Sequence, residues 1–144
     1  MLRILFALIF SLGWMGAFAQ ADPVEGYWLN DSKEAKIHIY KATDGNFWGK
    51  IVWLKEPDRD GRPKLDINNT NKKLRSRPVM GMTMLSRFKK DGEREYTGGE
   101  IYDPKNGKTY SCNMKLKDRN TLSIRGYIGI SLIGRTTVWT RTTP

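Results

Sequence analysis

Apolar and polar residues alternate with a period of two over residues 109–116. The apolar positions, which fall on one face of an extended chain, are Tyr110, Cys112, Met114 and Leu116. A turn precedes them. Asp103 and Pro104 suit the opening of a type I turn because proline fixes φ near the required value, and Asn106 and Gly107 tolerate positive φ. The pattern predicts a β-hairpin with one buried face and one wet face.

Extended segments of this kind recur along the chain and are bounded by turn residues. They cover residues 26–28, 35–40, 47–54, 80–88, 94–102, 109–116 and 122–127, and an eighth ends at residue 141. Most connections are short, so consecutive strands are expected to be neighbours. Eight such strands close most naturally into a barrel, which removes exposed edges. The sequence predicts an all-β fold: an antiparallel up-and-down barrel with one long loop. Residues 47–54 are apolar on both faces, which predicts a strand covered on both sides.

The long loop covers residues 56–78 and contains three prolines and a cluster of asparagines. Loops of this length are usually functional or mobile, and a short helical turn is expected at residues 71–75. Asp58-x-Asp60-Gly61 resembles a calcium loop, because oxygen ligands at alternate positions can wrap Ca²⁺. The glycine comes too early, however, and no glutamate closes the site. We expect the Asp and Asn side chains to cap turns instead.

The N-terminus has the pattern of a secretory signal peptide. Arg3 precedes an apolar run that continues to about Trp14, and Ala17-Phe18-Ala19 offers small residues at the positions a signal peptidase reads. The run is shorter than the ~20 residues that span a bilayer. Cleavage is expected after Ala19, with Ala21 as the second choice. The chain then divides into a signal peptide, 1–19, and a single barrel domain, 20–144, located in the periplasm or secreted.

Charge and side-chain chemistry limit the classes of possible partner but do not identify a single one. The formal charge of +10 falls to +9 when Arg3 leaves, and such a surface attracts phospholipid head groups, acidic glycolipids or nucleic acid, or is simply soluble. Cys112 is the only cysteine, so no intramolecular disulfide can form, and we expect a core residue. His38 is the only histidine. We therefore predict no metal site, no cofactor and no catalytic residues.

Two sets of residues resemble known families. Gly26-x-Trp28 in the first strand, with Arg141 at the end of the last, resembles the lipocalin and calycin pattern. A longer match comprises residues 49–54, Asp66 with Asn68, and residues 74–78, 99–110, 125–127 and 139–141. This set resembles the bacterial family named domain of unknown function 2147 (DUF2147). The lipocalin resemblance implies that Trp28 closes one end of the barrel and that Arg141 packs across its ring. The DUF2147 resemblance implies export and brings no established activity.

Three functions are consistent with these patterns. The first is a non-catalytic periplasmic barrel that binds a small apolar or anionic lipid-like ligand. The second is a structural or interaction protein of the envelope, with a packed barrel and a basic face on the membrane. The third is a hydrolase that uses loop carboxylates. We expect a monomer that binds no nucleic acid, with a small lipid or an anionic membrane surface as partner.

The binding interpretation predicts particular site residues. The cavity would be lined from the face that carries Ile37, Ile39, Tyr110, Met114 and Leu122, with residues 56–78 over one mouth. Arginines can hold an anionic head group or pair internally with Asp66, Glu100 or Asp103. The predicted ligand-binding residues are Arg75, Arg77, Tyr110, Met114 and Arg125. The predicted structural signature is Gly26, Trp28, Asp103, Pro104, Gly107 and Arg141.

Overall fold

The structure, a computed structural model, describes residue 16, residues 20–130 and residues 132–144. The predicted signal peptide, apart from residue 16, lies outside the described residues. Ten strands follow one another: β1 (Gly26–Leu29), β2 (Ala35–Lys41), β3 (Phe47–Leu54), β4 (Asp58–Arg59), β5 (Arg62–Pro63), β6 (Thr83–Lys90), β7 (Glu95–Asp103), β8 (Lys108–Asp118), β9 (Thr121–Tyr127) and β10 (Gly134–Thr142). A 3-10 helix, Lys72–Leu74, lies at the predicted helical turn.

Eight of these strands form a closed antiparallel barrel in the order β1-β10-β9-β8-β7-β6-β3-β2. Each strand pairs with its neighbours in the chain, and β1 closes the sheet against β10. The predicted all-β, up-and-down eight-stranded barrel is confirmed. The two remaining strands, β4 and β5, pair only with each other inside the long loop. No helix in the described part of the chain is long and apolar enough to cross a bilayer.

Burial follows the period of two in most strands. In β8, Cys112, Met114 and Leu116 are buried while their neighbours are not, as the sequence predicts. The prediction that β3 is covered on both sides is wrong. Its outward residues Trp48 and Trp53 lie on the wall of the barrel, where the Trp48 indole donates a hydrogen bond of 3.0 Å to Asp44. Both rings therefore pack on polar neighbours instead of entering the core.

One end of the barrel is closed by Trp28, which is fully buried. Arg141 lies directly opposite Trp28 in the register, and its guanidinium carbon sits 4.3 Å from the centre of the indole ring. The indole nitrogen donates a hydrogen bond of 2.9 Å to the Val24 carbonyl. A Cβ at Gly26 would lie 2.8 Å from an Arg141 nitrogen, so the glycine of the signature makes room for the arginine.

The half of the barrel next to Trp28 is filled by its own side chains. Leu85, Phe88 and Tyr96 are fully buried there. Two glycines give these large groups their space: a Cβ at Gly99 would lie 2.5 Å from the Phe88 ring, and one at Gly49 would lie 2.9 Å from Leu85. The sequence left a filled and an open barrel as alternatives, and this half is filled.

Candidate functional site

The other half of the barrel holds a cavity of about 1030 Å³ that opens to solvent. Alternate connections of an up-and-down barrel lie at the same end. Those at the open end are the β1–β2 turn, the long loop, the β7–β8 turn and the β9–β10 loop, and residues from all four line the cavity. The volume is at the upper end of the range of small-molecule sites, roughly 300–1,000 Å³.

The inner wall of the cavity is mainly apolar. Its members come from six strands and the segment before β6: Ala35, Ile51, Leu54, Val79, Met84, Ile101, Ile124 and Trp139. Gly126 shapes this wall because it has no side chain where β9 turns inward. A Cβ placed there would meet nothing closer than 3.5 Å, so the site has room for a larger residue. Polar groups on the wall come from Tyr110 and Thr137.

The rim of the cavity is charged. Its basic members are Lys55, Arg59, Lys64, Lys105 and Arg135, and its acidic members are Asp31, Glu34, Glu56 and Asp103. The shortest ion pair joins Lys105 to Glu34 at 2.7 Å, and the Lys105 hydrogen bond holds the pKa of Glu34 below its ordinary value. Among the described residues, no ion pair engages the side chains of Lys55 and Arg59. With five basic and four acidic side chains, the rim has an excess of one positive charge.

The long loop divides into two parts. Its first part reaches the cavity mouth, where Leu65 and Ile67 contribute exposed apolar side chains. Its second part folds down against the outer face of β7 and the β7–β8 turn. Asn68 donates hydrogen bonds of 3.2 and 3.0 Å to the carbonyls of Pro104 and Lys105. The first part of the loop therefore lies at the mouth, whereas the second part is tied to the outer wall.

Asp66 is the anchor of that second part. It is fully buried and accepts hydrogen bonds from the Tyr102 hydroxyl at 2.6 Å, Asn69 at 2.8 Å and Arg77 at 2.9 Å. Burial opposes ionisation of Asp66, but these three donors outweigh it and keep its pKa below the ordinary value. Burial and the neighbouring carboxylate raise the pKa of Tyr102 to about 12. The carboxylate thus has a structural role between loop and barrel.

The comparisons with known proteins fit this geometry. Residues 26–141 match the family model described as "Uncharacterized protein conserved in bacteria (DUF2147)". The chain belongs to the DUF2147 family. Among solved structures, this DUF2147 protein is similar to HP1028 from Helicobacter pylori, which is described as belonging to the lipocalin family. The identity is 26%, the TM-score is 0.72, and the match covers 83% of this chain and 82% of that chain. No curated protein matches the sequence.

In this DUF2147 barrel, the predicted arginines lie away from the cavity, which corrects their expected place at its rim. Arg77 pairs with Asp66, one of the internal partners that the sequence offered. Arg75 donates a hydrogen bond of 2.7 Å from Nε to the Asn69 carbonyl. Arg125 points outward from β9 and donates to the Thr136 hydroxyl at 2.9 Å. Each of these guanidinium groups stabilises a loop or strand pair at its own position.

Of the residues predicted to line the cavity from the apolar face, only Tyr110 does so. Tyr110 lines the cavity and accepts a hydrogen bond of 2.9 Å from Asn106. Met114 lies in the filled half and is not among the lining residues. The same correction applies to the other residues expected to line the cavity: Ile37, Ile39 and Leu122. Alternation shows that a residue points inward, but it does not show in which half of the barrel it lies.

Sequence reasoning missed several residues of the site. Ile51, Ile101 and Ile124 share the inward face with predicted residues, and Gly126 follows Ile124 by two positions on the same face. The sequence feature that could have identified these residues is their distance from Trp28 along the strands. Because Trp28 closes one end, inward residues on the far side of each strand belong to the open half. The rim cations Lys55 and Arg59 carry no sequence pattern that distinguishes them.

The remaining candidate chemistry has structural explanations. The segment Asp58 to Gly61 forms a hairpin turn between β4 and β5, with positive φ at both Asp60 and Gly61, as a type I′ turn requires. Asn69 and Asn71 cap the backbone of the 3-10 region through their side-chain oxygens, as predicted. Burial raises the pKa of the Cys112 thiol to about 12. The described residues contain no group of three His, Cys, Asp or Glu placed to hold a metal.

Proposed function

We propose that this protein is an exported, non-catalytic barrel that binds a small molecule with an apolar body and an anionic group. The cavity of about 1030 Å³ in the open half carries the proposal. Its inner wall suits an aliphatic or ring-containing body, because apolar walls with a few placed polar groups are typical of small-molecule sites. The similarity to a protein described as a lipocalin supports the same function.

The charges on the rim of the cavity indicate that the ligand has an anionic group. Three of its cations pair with rim acids, Lys105 with Glu34, Lys64 with Glu56 and Arg135 with Asp31. Lys55 and Arg59 remain to meet a carboxylate or phosphate at the mouth. A ligand that places its charge there keeps it hydrated, so it avoids the large cost of burying an ion in the apolar wall. A fatty acid or a lipid with one exposed head group fits this arrangement.

The experiment uses Gly126, a position of the wall that has no side chain and where a Cβ would meet nothing closer than 3.5 Å. Gly126→Trp places a ring inside the cavity and is expected to weaken binding of a fluorescent fatty-acid probe by at least about tenfold. Gly126→Ala, which fits without a close contact, is the control and retains binding. Thermal unfolding of both variants verifies the fold. Equal affinity in both variants would place the probe outside the cavity.

The rim is tested separately. Arg59→Gln and Lys55→Gln should each weaken binding of the fatty-acid probe by about two- to five-fold, in keeping with an exposed ion pair. Arg62→Gln is the matched control, because Arg62 is exposed on β5 and is not a rim residue. An uncharged alcohol of the same chain length should be insensitive to all three changes. If wild-type protein binds no probe and carries no small molecule in native mass spectrometry, a structural envelope role replaces the proposal.

Export completes the proposed function. The Arg3 start, the short apolar run and the Ala17-Phe18-Ala19 site support cleavage after Ala19 and a location in the periplasm or outside the cell. N-terminal sequencing of protein from the periplasmic and medium fractions is expected to begin at Gln20. An intact Met1 on protein from the cytosol would contradict export.

A further inference from the structure

The β9–β10 loop presents an unusual set of exposed aliphatic side chains. Ile128, Ile130, Leu132 and Ile133 are between 58% and 85% exposed. Four aliphatic side chains within six residues at a loop tip are a candidate for contact with an apolar phase. Backbone hydrogen bonds join Ile128 to Ile133 and Ile130 to Ile133, so these residues are held to one another. Its two ends continue directly into β9 and β10.

The loop is not a lid over the cavity. Ile128 and Ile133 line the mouth, but Ile130 and Leu132 do not, and Leu132 is 85% exposed. The side chains of Ile130 and Leu132 therefore lie outside the cavity, in solvent. On the mouth, Leu65 and Ile67 of the long loop add two more exposed apolar side chains. Two of the four connections at the open end, the long loop and the β9–β10 loop, thus carry exposed apolar side chains beside the entrance to the cavity.

Cations stand at the base of this apolar tip. Arg135, the second residue of β10, lies on the rim beside the loop and pairs with Asp31 at 3.8 Å. Lys55 and Arg59 lie on the same rim. An aliphatic tip above a rim that has more cations than acids matches a bilayer surface, where acyl chains lie below anionic head groups.

We propose that Ile128, Ile130, Leu132 and Ile133, which form the docking loop, seat the open end of the barrel on a lipid bilayer that contains anionic lipids. The proposal extends the proposed function, because the bilayer would be the phase from which an apolar ligand enters the cavity. A second copy of the chain is a poorer occupant. A stable protein interface needs roughly 20–30 residues a side, and the docking loop is a narrow tip with four aliphatic side chains.

The test measures co-flotation of the exported protein with vesicles of phosphatidylethanolamine and phosphatidylglycerol. Ile130→Ser combined with Leu132→Ser removes the tip and is expected to lower the vesicle partition constant by at least about tenfold, since each buried aliphatic side chain contributes about that factor. Val138→Ser is the matched control. Val138 is 49% exposed on the outer wall of β10, away from the loop, and its loss should leave partition unchanged.

Further conditions of the flotation experiment distinguish the remaining explanations. Replacing phosphatidylglycerol by phosphatidylcholine, or adding salt, should weaken partition, because both reduce the attraction of the cations. No flotation of the wild type, or equal flotation of the double variant, would overturn the proposal. A dimer that the double variant dissociates in sedimentation would overturn it in favour of a second copy.

The fatty-acid probe, tested without vesicles, distinguishes this proposal from the cavity function. Probe binding without vesicle binding would leave the cavity function standing and remove the docking loop. Vesicle binding without probe binding would support the docking loop and remove the cavity function.

Discussion

At the scale of single residues, Asp66 shows how a polar side chain can determine where a loop goes. Its carboxylate is fully buried and has three donors: Tyr102 on β7, and Asn69 and Arg77 within the loop. A buried ion is stable only when its hydrogen-bonding capacity is met. The second part of the loop must therefore fold onto β7.

Asp66→Asn tests this role. We expect a loss of about 1–3 kcal/mol in the free energy of unfolding at neutral pH, because an amide cannot accept all three bonds and leaves a buried donor unpaired. Asp58→Asn, on the exposed hairpin, should change it by less than about 0.5 kcal/mol. Urea unfolding followed by tryptophan fluorescence measures both. A loss in Asp66→Asn no larger than in Asp58→Asn would contradict the role of the carboxylate.

The same pair of variants has a defined pH dependence. The folded-state pKa of Asp66 lies below its unfolded value, so ionised Asp66 favours folding. Its contribution is complete above the unfolded pKa of roughly 4 and is lost as pH falls through the folded pKa. The difference in unfolding free energy between wild type and Asp66→Asn should therefore shrink below about pH 4. A difference that is constant across this window would show that the carboxylate charge does not contribute.

At the scale of elements, the β7–β8 turn and the long loop are in close contact at Gly107. A Cβ there would lie 1.8 Å from the backbone oxygen of Asn68, and the residue has a φ of +73°. Gly98 has a similar φ of +71° with open space around it. The two glycines thus share the cost of a left-handed backbone and differ only in the neighbour, which makes them a matched pair.

Gly107→Ala is expected to cost about 1–3 kcal/mol more than Gly98→Ala. The shared backbone strain amounts to roughly 1–2 kcal/mol in each, and the excess reports the clash with Asn68. Gly107→Ala should also release residues 56–78 to trypsin, because the bonds from Asn68 to the turn would break. Urea unfolding and limited proteolysis measure the two effects. Equal losses of unfolding free energy and equal resistance to trypsin in the two variants would mean that the long loop tolerates displacement.

The junction of the first and last strands is a second element-scale contact. Arg141 lies over the Trp28 ring and donates hydrogen bonds to the carbonyls of Arg119 at 2.7 Å, Glu25 at 3.0 Å and Pro23 at 2.5 Å. A double-mutant cycle with Trp28→Leu and Arg141→Met should give a coupling free energy of about 0.5–2 kcal/mol. Arg141→Lys should recover little, since one ammonium cannot replace the planar fork. Full recovery by lysine would show that charge alone matters.

The sequence predicted these elements well and their three-dimensional relations less well. Turn residues such as Asn106 and Gly107 correctly predicted the hairpins. Gly26, Trp28 and Arg141 correctly predicted the closed end of the barrel. The prediction that β3 is covered on both faces is wrong because Trp48 and Trp53 lie on the outer wall beside polar residues. Trp48 donates a hydrogen bond to Asp44, and the Lys36 ammonium lies over the Trp53 ring. Outward aromatic residues cannot be distinguished from core residues by composition alone.

For the whole molecule, the barrel has a filled half and an open half. Gly49 and Gly99 let Leu85 and Phe88 occupy the filled half, whereas Gly126 leaves space in the open half. A glycine on the inward face therefore has opposite consequences, depending on which side chains face it. The sequence could not reveal this, because the facing side chains come from distant strands whose stagger is known only from the closed barrel.

Two neighbours on the inward face of β9 allow the halves to be compared directly. Leu122 is fully buried in the filled half, and Ile124 lines the floor of the cavity. Leu122→Ala should cost about 3–5 kcal/mol, since it creates a closed void. Ile124→Ala should cost less, about 1–3 kcal/mol, because the lost volume joins an existing opening. Urea unfolding measures both free energies.

Binding of the fatty-acid probe should show the reverse order. Ile124→Ala removes contacts with the ligand and is expected to weaken binding by about three- to tenfold, in line with the loss of a few buried methylenes. Leu122→Ala should leave the affinity within about twofold, since Leu122 does not line the cavity and its truncation removes no contact with the ligand. Titration of the probe under conditions where both variants are folded gives the comparison. If Leu122→Ala weakens binding as much as Ile124→Ala, then the two halves are mechanically coupled and the filled half is part of the binding site.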